Sequence, residues 1–487
     1  MTDFYFFNKY LQLPEGSPAI ISRDETITYS ELIRRAGAYA AFLRSMGVKK
    51  GMHAAILSSN NAEFIILVVA LWNVGAVPVP LNVRLLDEDL EKLILHSEAE
   101  FVFIHEELKD RLYGIKSGRI IFPVLTKGED TEDSKRELNL NECALILYTS
   151  GTTGMPKGVM HTFSTLSGSA MASDTLLRQS GKDRWLASLP FYHIGGFSIP
   201  VRALLYGAAV VIPQSLKTED IAEAVEVFRP TLISFVTTTL RRLIEMGVKP
   251  NKELRFMLLG GGPVDSSLAQ SALEENWRAV KVYGSTETAT LVSAVEIEKH
   301  PEKLSSAGCA LKGNIIMIID EEGREVNSGQ SGEIIVKGPS VMAGYWNNAE
   351  ETSKKLVEGF YHTGDLGHMD SEGYLYVEAR RTDLIISGGE NVNPLEVEDA
   401  ILRHPSVREA CVFALEDREW GQTVAAAVVK NGDLQAEELA VFLRSHLASY
   451  KIPRRIFFTE ELPRTSLGKM RRDYIREIFQ KSQFKPL

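Results

Sequence analysis

The sequence predicts an α/β protein in three parts: a large N-terminal domain of parallel-type sheets covered by helices, a small barrel-like subdomain, and a small α+β domain at the C-terminus. Up to about residue 310, apolar runs bounded by turn residues alternate with amphipathic segments. Strand-rich segments follow, and both patterns return near the end of the chain. At 487 residues, the chain has room for roughly two to four domains.

The N-terminal domain is predicted from apolar runs that indicate buried strands. These runs are HAAILSS (53–59), GAVPVPL (75–81), FVFIH (101–105), AAVVIP (208–213), TLISFV (231–236) and RFMLLG (255–260). Two segments between them have helical spacing, IAEAVEVFR (221–229) and SLAQSALEENW (267–277). Alternating strands and helices predict parallel sheets covered on both faces, which bind ligands at the carboxyl ends of their strands.

The rest of the chain is predicted to fold separately. IIMIIDEEGREV, GEIIVKG and GYLYVEAR indicate a small antiparallel or barrel-like subdomain. After ARRTDLIIS, an α+β pattern consists of EVEDAILRHPSV (helix), REACVFAL and AAAVVK (strands) and AEELAVFLRSHLASY (helix). We therefore predict two domains, residues 1–381 and 382–487.

Composition excludes several classes of protein. Lys and Arg number 54 against 64 Asp and Glu, and the net charge of −10 argues against a nucleic-acid partner. Cys143, Cys309 and Cys411 are widely separated, so neither a disulfide framework nor a zinc site is expected. The longest apolar run, FIILVVALW (64–72), is too short for stable membrane insertion. We expect a cytoplasmic protein, and the sequence leaves open whether it forms a homodimer.

The segment YTSGTTGMPKG (148–158) is predicted to bind a phosphate. It departs from the common nucleotide loop, in which G-x-x-x-x-G-K precedes Ser or Thr, because Gly158 follows Lys157. It follows the apolar strand CALILY and precedes a helical-looking segment, which predicts a strand-to-helix connection. The glycines permit backbone N–H groups to approach an anion closely. The expected phosphate ligands are Thr149, Ser150, Gly151, Thr152, Thr153, Gly154 and Lys157. The competing interpretation is a merely polar loop.

Five further motifs accompany this loop. They are YGSTET (283–288), GEIIVKGPSVMAGYW (332–346), YHTGDL (361–366), RRTDLIISGGENVNP (380–394) and LPRTSLGKMRR (462–472). In this order the six motifs resemble the adenylate-forming superfamily of acyl-CoA synthetases, peptide-synthetase adenylation domains and luciferases. One motif alone is weak evidence, whereas six in order from residue 148 to residue 472 are specific. The resemblance implies ATP and Mg²⁺, and coenzyme A as co-substrate.

The resemblance also implies roles in nucleotide binding. Tyr283 offers an aromatic face to adenine, Thr286 a hydroxyl to phosphate, and Glu287 a carboxylate to Mg²⁺, which prefers oxygen ligands. Asp365 accepts hydrogen bonds from the ribose hydroxyls, and Arg380 donates to ribose or phosphate. Outside these motifs, an acid such as Glu287 would be assigned to the solvated surface and Asp365 to a turn.

The C-terminal motifs imply catalysis by a mobile domain. Lys469 resembles the superfamily's mobile lysine, which bridges the attacking carboxylate and the α-phosphate and stabilises the transition state. Thr382 stands at the hinge position, where relatives commonly carry Asp or Lys. Gly388 and Gly389 would line the channel for the pantetheine arm of coenzyme A. Alone, Lys469 would be assigned to the solvated surface.

The segment LPFYHIGGFS (189–198) bears on the acid substrate. It carries His193 and no acidic residue, whereas amino-acid-adenylating domains generally place an Asp here to pair with the substrate ammonium. His193 is a candidate to gate the acyl pocket or hold a polar acyl group, or it is a core histidine. Arg202 is a candidate partner for a second substrate carboxylate, because burying it without an anion would be costly. The alternative is an arginine on a helix surface.

One branch of the superfamily fits this pattern. The arrangement H-x-x-G-x-x-x-x-x followed by Arg or Lys, together with LLGGGP (258–263) and a hydroxyl at Thr290, resembles o-succinylbenzoate–CoA ligases of menaquinone biosynthesis. Their substrate is a dicarboxylate. The implied acyl-site residues are His193, Ser198, Arg202, Gly261, Gly262 and Thr290. The alternatives are a fatty- or aryl-acid CoA ligase, a phosphate-releasing ATPase, and a non-catalytic nucleotide-binding module.

Overall fold

The computed structural model describes most of the chain. The described residues are 13–114, 119–121, 138–149, 156–262, 264–380, 385–387, 390–417, 421–447, 449–465 and 470–480. Within these ranges, no helix combines the length and apolar character that crossing a bilayer requires.

The largest sheet contains nine strands. Their order is β15 (Cys309–Ala310), β14 (Ser293–Glu296), β13 (Ala279–Tyr283), β12 (Phe256–Gly260), β11 (Leu232–Val236), β9 (Arg184–Leu186), β10 (Ala209–Val211), β1 (Pro18–Ile21) and β2 (Thr26–Thr28). Neighbours from β13 to β1 are parallel, and β14, β15 and β2 add antiparallel edges. A second, fully parallel sheet has the order β4 (Val77–Pro80), β3 (His53–Leu57), β5 (Ala99–Ile104) and β6 (Arg119–Ile121).

Helices cover both faces of the large sheet, as predicted. The core between the two sheets contains residues of α1 (Tyr29–Ser45), α2 (Ala62–Val74), α4 (Phe163–Leu177) and α5 (Ile194–Tyr206). The opposite face packs on α6 (Thr218–Val227), α7 (Thr237–Glu245) and α8 (Ser266–Glu274). Helix α3 (Asp87–His96) packs on the smaller sheet. In β11, Leu232 belongs to one core and Ile233 to the other, because successive strand residues point to opposite faces. Each of the six predicted strand segments contains a strand.

The phosphate-loop motif is not a strand-to-helix connection, and that prediction was wrong. Strand β7 (Cys143–Thr149) pairs antiparallel with β8 (Lys157–Thr162), so the motif spans a hairpin. A third strand, β18 (Gly344–Tyr345), pairs with β8 on its other side. The helical pattern begins only at Phe163, where the Thr162 side chain caps α4. The six residues of β8, KGVMHT, do not form an apolar run, so they did not stand out as a strand in the sequence.

The predicted barrel-like subdomain is an antiparallel sheet. It contains β16 (Ile315–Ile319), β17 (Gly332–Lys337), β20 (Phe360–Met369), β19 (Leu356–Val357) and β21 (Leu375–Arg380). The short helix α9 (Ala349–Lys355) precedes β19.

A separate sheet forms the C-terminal part of the chain. It contains β23 (Glu390–Val392), β22 (Ile385–Ser387), β25 (Gly421–Lys430), β24 (Val407–Asp417) and β26 (Arg455–Phe458). Its helices are α10 (Pro394–Leu402), α11 (Ala436–Arg444) and α12 (Arg472–Gln480). The predicted domain boundary at 381/382 lies outside the described residues and stays a prediction.

Helix α11 ends earlier than the apolar pattern predicted. The side chains of Ser445 and His446 both contact the Phe442 carbonyl, at 2.7 and 2.9 Å. These side-chain contacts occupy a carbonyl near the end of α11, and the helix stops at Arg444.

Candidate active site

The predicted nucleotide ligands of two motifs lie side by side. Tyr283 ends β13, and its hydroxyl donates a hydrogen bond to Asp365 Oδ2 at 2.8 Å. Asp365 in turn lies opposite Arg380 in the pairing of β20 with β21. An aromatic ring and a carboxylate are therefore adjacent where the motifs predict adenine and ribose.

The YGSTET motif continues into a strained turn. Thr286–Thr288 form one short 3₁₀ turn, after which Ala289 and Thr290 have φ values of +48° and +107°. Left-handed backbone at a β-branched residue such as Thr290 is unusual and costs about 1–3 kcal/mol. At Gly284, an added Cβ would lie 1.9 Å from the Thr290 carbonyl oxygen, so no side chain fits there. The turn is held closely against the end of β13.

The side chain of Tyr345 lies between Glu287 and Lys157 of the phosphate-loop motif. The Tyr345 hydroxyl donates to Glu287 Oε1 at 3.0 Å, and Lys157 Nζ lies 5.4 Å from the centre of the Tyr345 ring. Burial and the neighbouring Glu287 carboxylate raise the pKa of Tyr345 well above its usual range, so the phenol stays protonated and remains a donor. Thr149 pairs with Lys157 at the two ends of the hairpin.

The predicted cation Lys157 is engaged in an ion pair. Its ammonium bonds to Glu351 of α9, and this hydrogen bond lowers the pKa of the Glu351 carboxyl. A bound phosphate would therefore compete with Glu351 for Lys157. Glu351 was not among the residues that the sequence indicated.

Several predicted site residues lie outside the described residues, and their assignments stay predictions. They are Ser150, Gly151, Thr152, Thr153 and Gly154 of the phosphate motif, together with Thr382, Gly388, Gly389 and Lys469.

Two of the predicted acyl-site residues, Ser198 and Thr290, contact a third, the buried Arg202. Arg202 in α5 donates to Ser198 Oγ at 2.9 Å and to Thr290 Oγ1 at 2.6 Å. Its guanidinium lies 5.3 Å from the centre of the Trp185 ring. Only 2% of Arg202 is exposed, so the alternative of an arginine on a helix surface was wrong.

Arg202 has no acidic partner among the described residues. Its two recorded hydrogen bonds go to hydroxyls, and its Nε has no recorded partner there. Burial lowers the pKa of the guanidinium to about 10, which still leaves it charged near neutral pH. A buried cation without a counter-ion is costly, so the site is suited to an anion that arrives from outside.

His193 and two glycines are the other residues predicted for the acyl site. His193 occupies the N-cap position of α5, and burial together with the Arg84 cation lowers the pKa of its imidazole to about 4. It is therefore neutral near pH 7. Gly261 and Gly262 follow β12, and a Cβ added at Gly262 would meet no atom of the described residues within 4 Å. Open space thus lies beyond the carboxyl end of a parallel strand, where such sheets bind ligands.

The structure adds residues that the sequence did not single out. His161 is completely buried, and its Nε2 lies 2.7 Å from the Thr286 carbonyl oxygen. Ser169 Oγ donates to the Ala289 carbonyl at 2.5 Å. No helical spacing could have indicated His161, because it lies on strand β8 and its partner Thr286 is 125 positions away.

Comparison with known proteins agrees with this geometry. Residues 7–346 match the AMP-binding enzyme family, and residues 396–469 match the AMP-binding enzyme C-terminal domain. The chain belongs to the AMP-binding enzyme family. Its fold is accordingly the two-domain adenylate-forming architecture.

Members of the AMP-binding family resemble this chain over nearly its full length. A 2-succinylbenzoate–CoA ligase of Bacillus licheniformis is 37% identical over 471 residues, which cover 95% of this chain and 97% of that protein. The o-succinylbenzoate CoA synthetase (MenE) of Bacillus subtilis, solved with the acyl-adenylate OSB-AMP, is 35% identical with a TM-score of 0.89 and covers 99% of both chains. The same synthetase with ATP and magnesium is 36% identical with a TM-score of 0.88, covering 96% of this chain and 98% of that one.

Proposed function

We propose that this AMP-binding enzyme is an ATP-dependent ligase that joins o-succinylbenzoate to coenzyme A. The observation that carries the proposal is Arg202, a buried cation that donates to two hydroxyls and has no acidic partner among the described residues. The similar ligases and synthetases named above act on the same acid. The enzyme's partners are a small carboxylic acid, ATP and coenzyme A.

The reaction has two steps. The succinyl carboxylate attacks the α-phosphorus of ATP, which forms an acyl-adenylate and releases pyrophosphate. The thiol of coenzyme A then attacks the acyl carbon, which forms the thioester and releases AMP. No enzyme residue needs to be acylated, so the protein contributes positioning and charge stabilisation.

Arg202 provides the means to select a dicarboxylate. The aryl carboxylate of o-succinylbenzoate would pair with the guanidinium, whose planar face is supported by Trp185. Ser198 and Thr290 accept hydrogen bonds from the guanidinium and so hold it in place. Gly262 leaves room for the aromatic ring. A simple fatty acid would leave the Arg202 charge buried and unpaired, which is why the fatty- or aryl-acid alternative is second.

The residues of the nucleotide site fit a magnesium-bound triphosphate. Glu287 is half-buried, is oriented by Tyr345, and forms no ion pair with any described lysine or arginine. Such a carboxylate suits Mg²⁺, which takes one or two carboxylates together with phosphate oxygens and water. When bound, the ion supplies neutralisation of the phosphate charge. Tyr283 and Asp365 would hold the adenosine, with Thr286 and Thr149 donating to phosphate.

Glu287→Gln is expected to raise the Mg²⁺ concentration needed for half-maximal pyrophosphate release. Even groups that only support a metal ligand contribute about 10–100-fold to metal affinity, so we expect a shift of at least about tenfold. Magnesium titrations of the initial rate measure it. Glu350→Gln is the matched control, because the Glu350 side chain is 80% exposed and pairs with Lys354. An unchanged magnesium requirement in Glu287→Gln would remove Glu287 from the metal site.

The proposed function is tested by the products formed with a panel of acids. Pyrophosphate and AMP are expected with o-succinylbenzoate, and the thioester only when coenzyme A is present. A preference for fatty acids or simple benzoates would instead support the alternative ligase. Release of ADP or inorganic phosphate would indicate an ATPase, and inactivity across the panel a nucleotide-binding module. A cytoplasmic location and a homodimer remain predictions.

A further inference from the structure

The segment after the phosphate motif contributes polar side chains to the turn that follows β13. His161 near the end of β8, and Thr165 and Ser169 on the first turns of α4, are spaced four residues apart. His161 and Ser169 bond to carbonyls of the 286–290 turn, and His161 also contacts Thr165. These hydrogen bonds join the β8–α4 segment to the 286–290 turn, which is distant in sequence.

The hydrogen bond of His161 has a defined direction. A carbonyl oxygen only accepts, so Nε2 carries the proton that is donated to Thr286 O at 2.7 Å. Nδ1 is then an acceptor, and it lies 3.1 Å from the Thr165 hydroxyl oxygen. Because the Nε2 proton is donated to Thr286 O and the residue has no exposed surface, His161 is available to fix the turn and not to contact a ligand.

Ser169 supports the other end of the same turn. Its hydroxyl donates to Ala289 O, and Oγ lies 3.2 Å from Thr290 Oγ1. Since Ser169 has one hydroxyl proton, the Thr290 hydroxyl donates to Ser169 and accepts from Arg202. Ala289 and Thr290, whose φ values are positive, are thus both hydrogen-bonded to Ser169 of α4. The Thr290 hydroxyl also accepts from the Arg202 guanidinium.

We propose that His161 is a positioning residue that, together with Ser169, sets the 286–290 turn so that one end faces the nucleotide and the other faces the acyl carboxylate. The His161 end carries Thr286 and Glu287, and the Ser169 end carries Thr290. The inference rests on the proposed function, because it assigns those two faces to ATP and to the dicarboxylate. Through the hydrogen bonds of His161 and Ser169, the turn then aligns the two reacting substrates.

The test compares two substitutions of His161. In His161→Gln, the side-chain amide nitrogen reaches about the position of Nε2 and keeps a donor for Thr286 O. In His161→Met, a side chain of similar length offers none. We expect His161→Met to raise the KM for MgATP about tenfold and to lower kcat, because a buried carbonyl loses its partner, while His161→Gln retains most of the activity. His161→Asn, whose amide stops short of Thr286 O, replaces the Met variant if that protein does not fold.

Ser169→Ala provides the complementary measurement. It should raise the KM for o-succinylbenzoate about tenfold and leave the KM for MgATP near the wild-type value. A general loss of stability would lower the amount of active enzyme, and so the apparent kcat, without separating the two KM values, so the split between the substrates is the decisive readout. The inference is overturned if the Gln and Met variants are impaired equally, if neither is impaired, or if Ser169→Ala shifts both KM values alike. A wild-type enzyme that ignores o-succinylbenzoate would refute the proposed function instead.

Discussion

Arg202→Met is expected to raise the KM for o-succinylbenzoate about 10²-fold, with the KM for MgATP nearly unchanged. Removing one member of a buried charge pair typically costs about 2–5 kcal/mol, much of it from the charge left unpaired. Here the group left unpaired is the aryl carboxylate, which would face Trp185 and two hydroxyls. Methionine keeps most of the side-chain length, so the change removes the charge with little loss of volume.

A matched substrate separates charge pairing from packing. 3-Benzoylpropionate has the same succinyl arm and ring but lacks the aryl carboxylate. The wild type should discriminate strongly against it, and Arg202→Met should discriminate far less. Arg202→Lys is expected to be intermediate, since it keeps the charge but not the planar, two-donor geometry. Equal losses on both acids in the Met variant would mean that Arg202 only supports the fold.

Lys469→Gln is expected to slow adenylate formation about 10²–10³-fold, the usual effect of removing a preorganised contact to a developing charge. The expectation follows from the LPRTSLGKMRR motif and from membership in the AMP-binding family. The second step has no need of this ammonium, because pyrophosphate has already left. Starting from synthetic acyl-adenylate and coenzyme A, the variant should form thioester at close to the wild-type rate.

The two half-reactions therefore form an internal control. Pyrophosphate release measures the first, and thioester formation from the preformed adenylate measures the second. Lys299→Gln is a suitable companion, because the Lys299 side chain is 66% exposed and pairs with Glu296. If Lys469→Gln impaired both half-reactions equally, the lysine would not have the role assigned to it. Full activity in pyrophosphate release would have the same consequence.

Most of the architecture could be predicted because it depends on local patterns. The parallel strands are buried on both faces and therefore appear as continuous apolar runs, and the antiparallel segments are punctuated by turns. Strand β8 was missed because its six residues, KGVMHT, do not form an apolar run and helix α4 begins directly after them.

The site was only partly predictable, because several of its contacts join distant segments. Lys157 and Glu351 are 194 positions apart, and His161 and Thr286 are 125 apart, and no periodicity connects such pairs. Arg202 posed a different difficulty. Its neighbours in the sequence are apolar on all sides, so the pattern could not show whether the guanidinium pointed inward. Burial within the fold decided it.

Thr290 limits how far this protein could be made more durable by redesign. Glycine would relax the backbone at this position, where φ is +107°, but it would also remove the hydroxyl that bonds to Arg202. An apolar side chain would keep the strain and lose that contact. Selectivity and robustness therefore conflict at one residue, and a search for heat-tolerant variants that is blind to substrate choice would tend to sacrifice selectivity first.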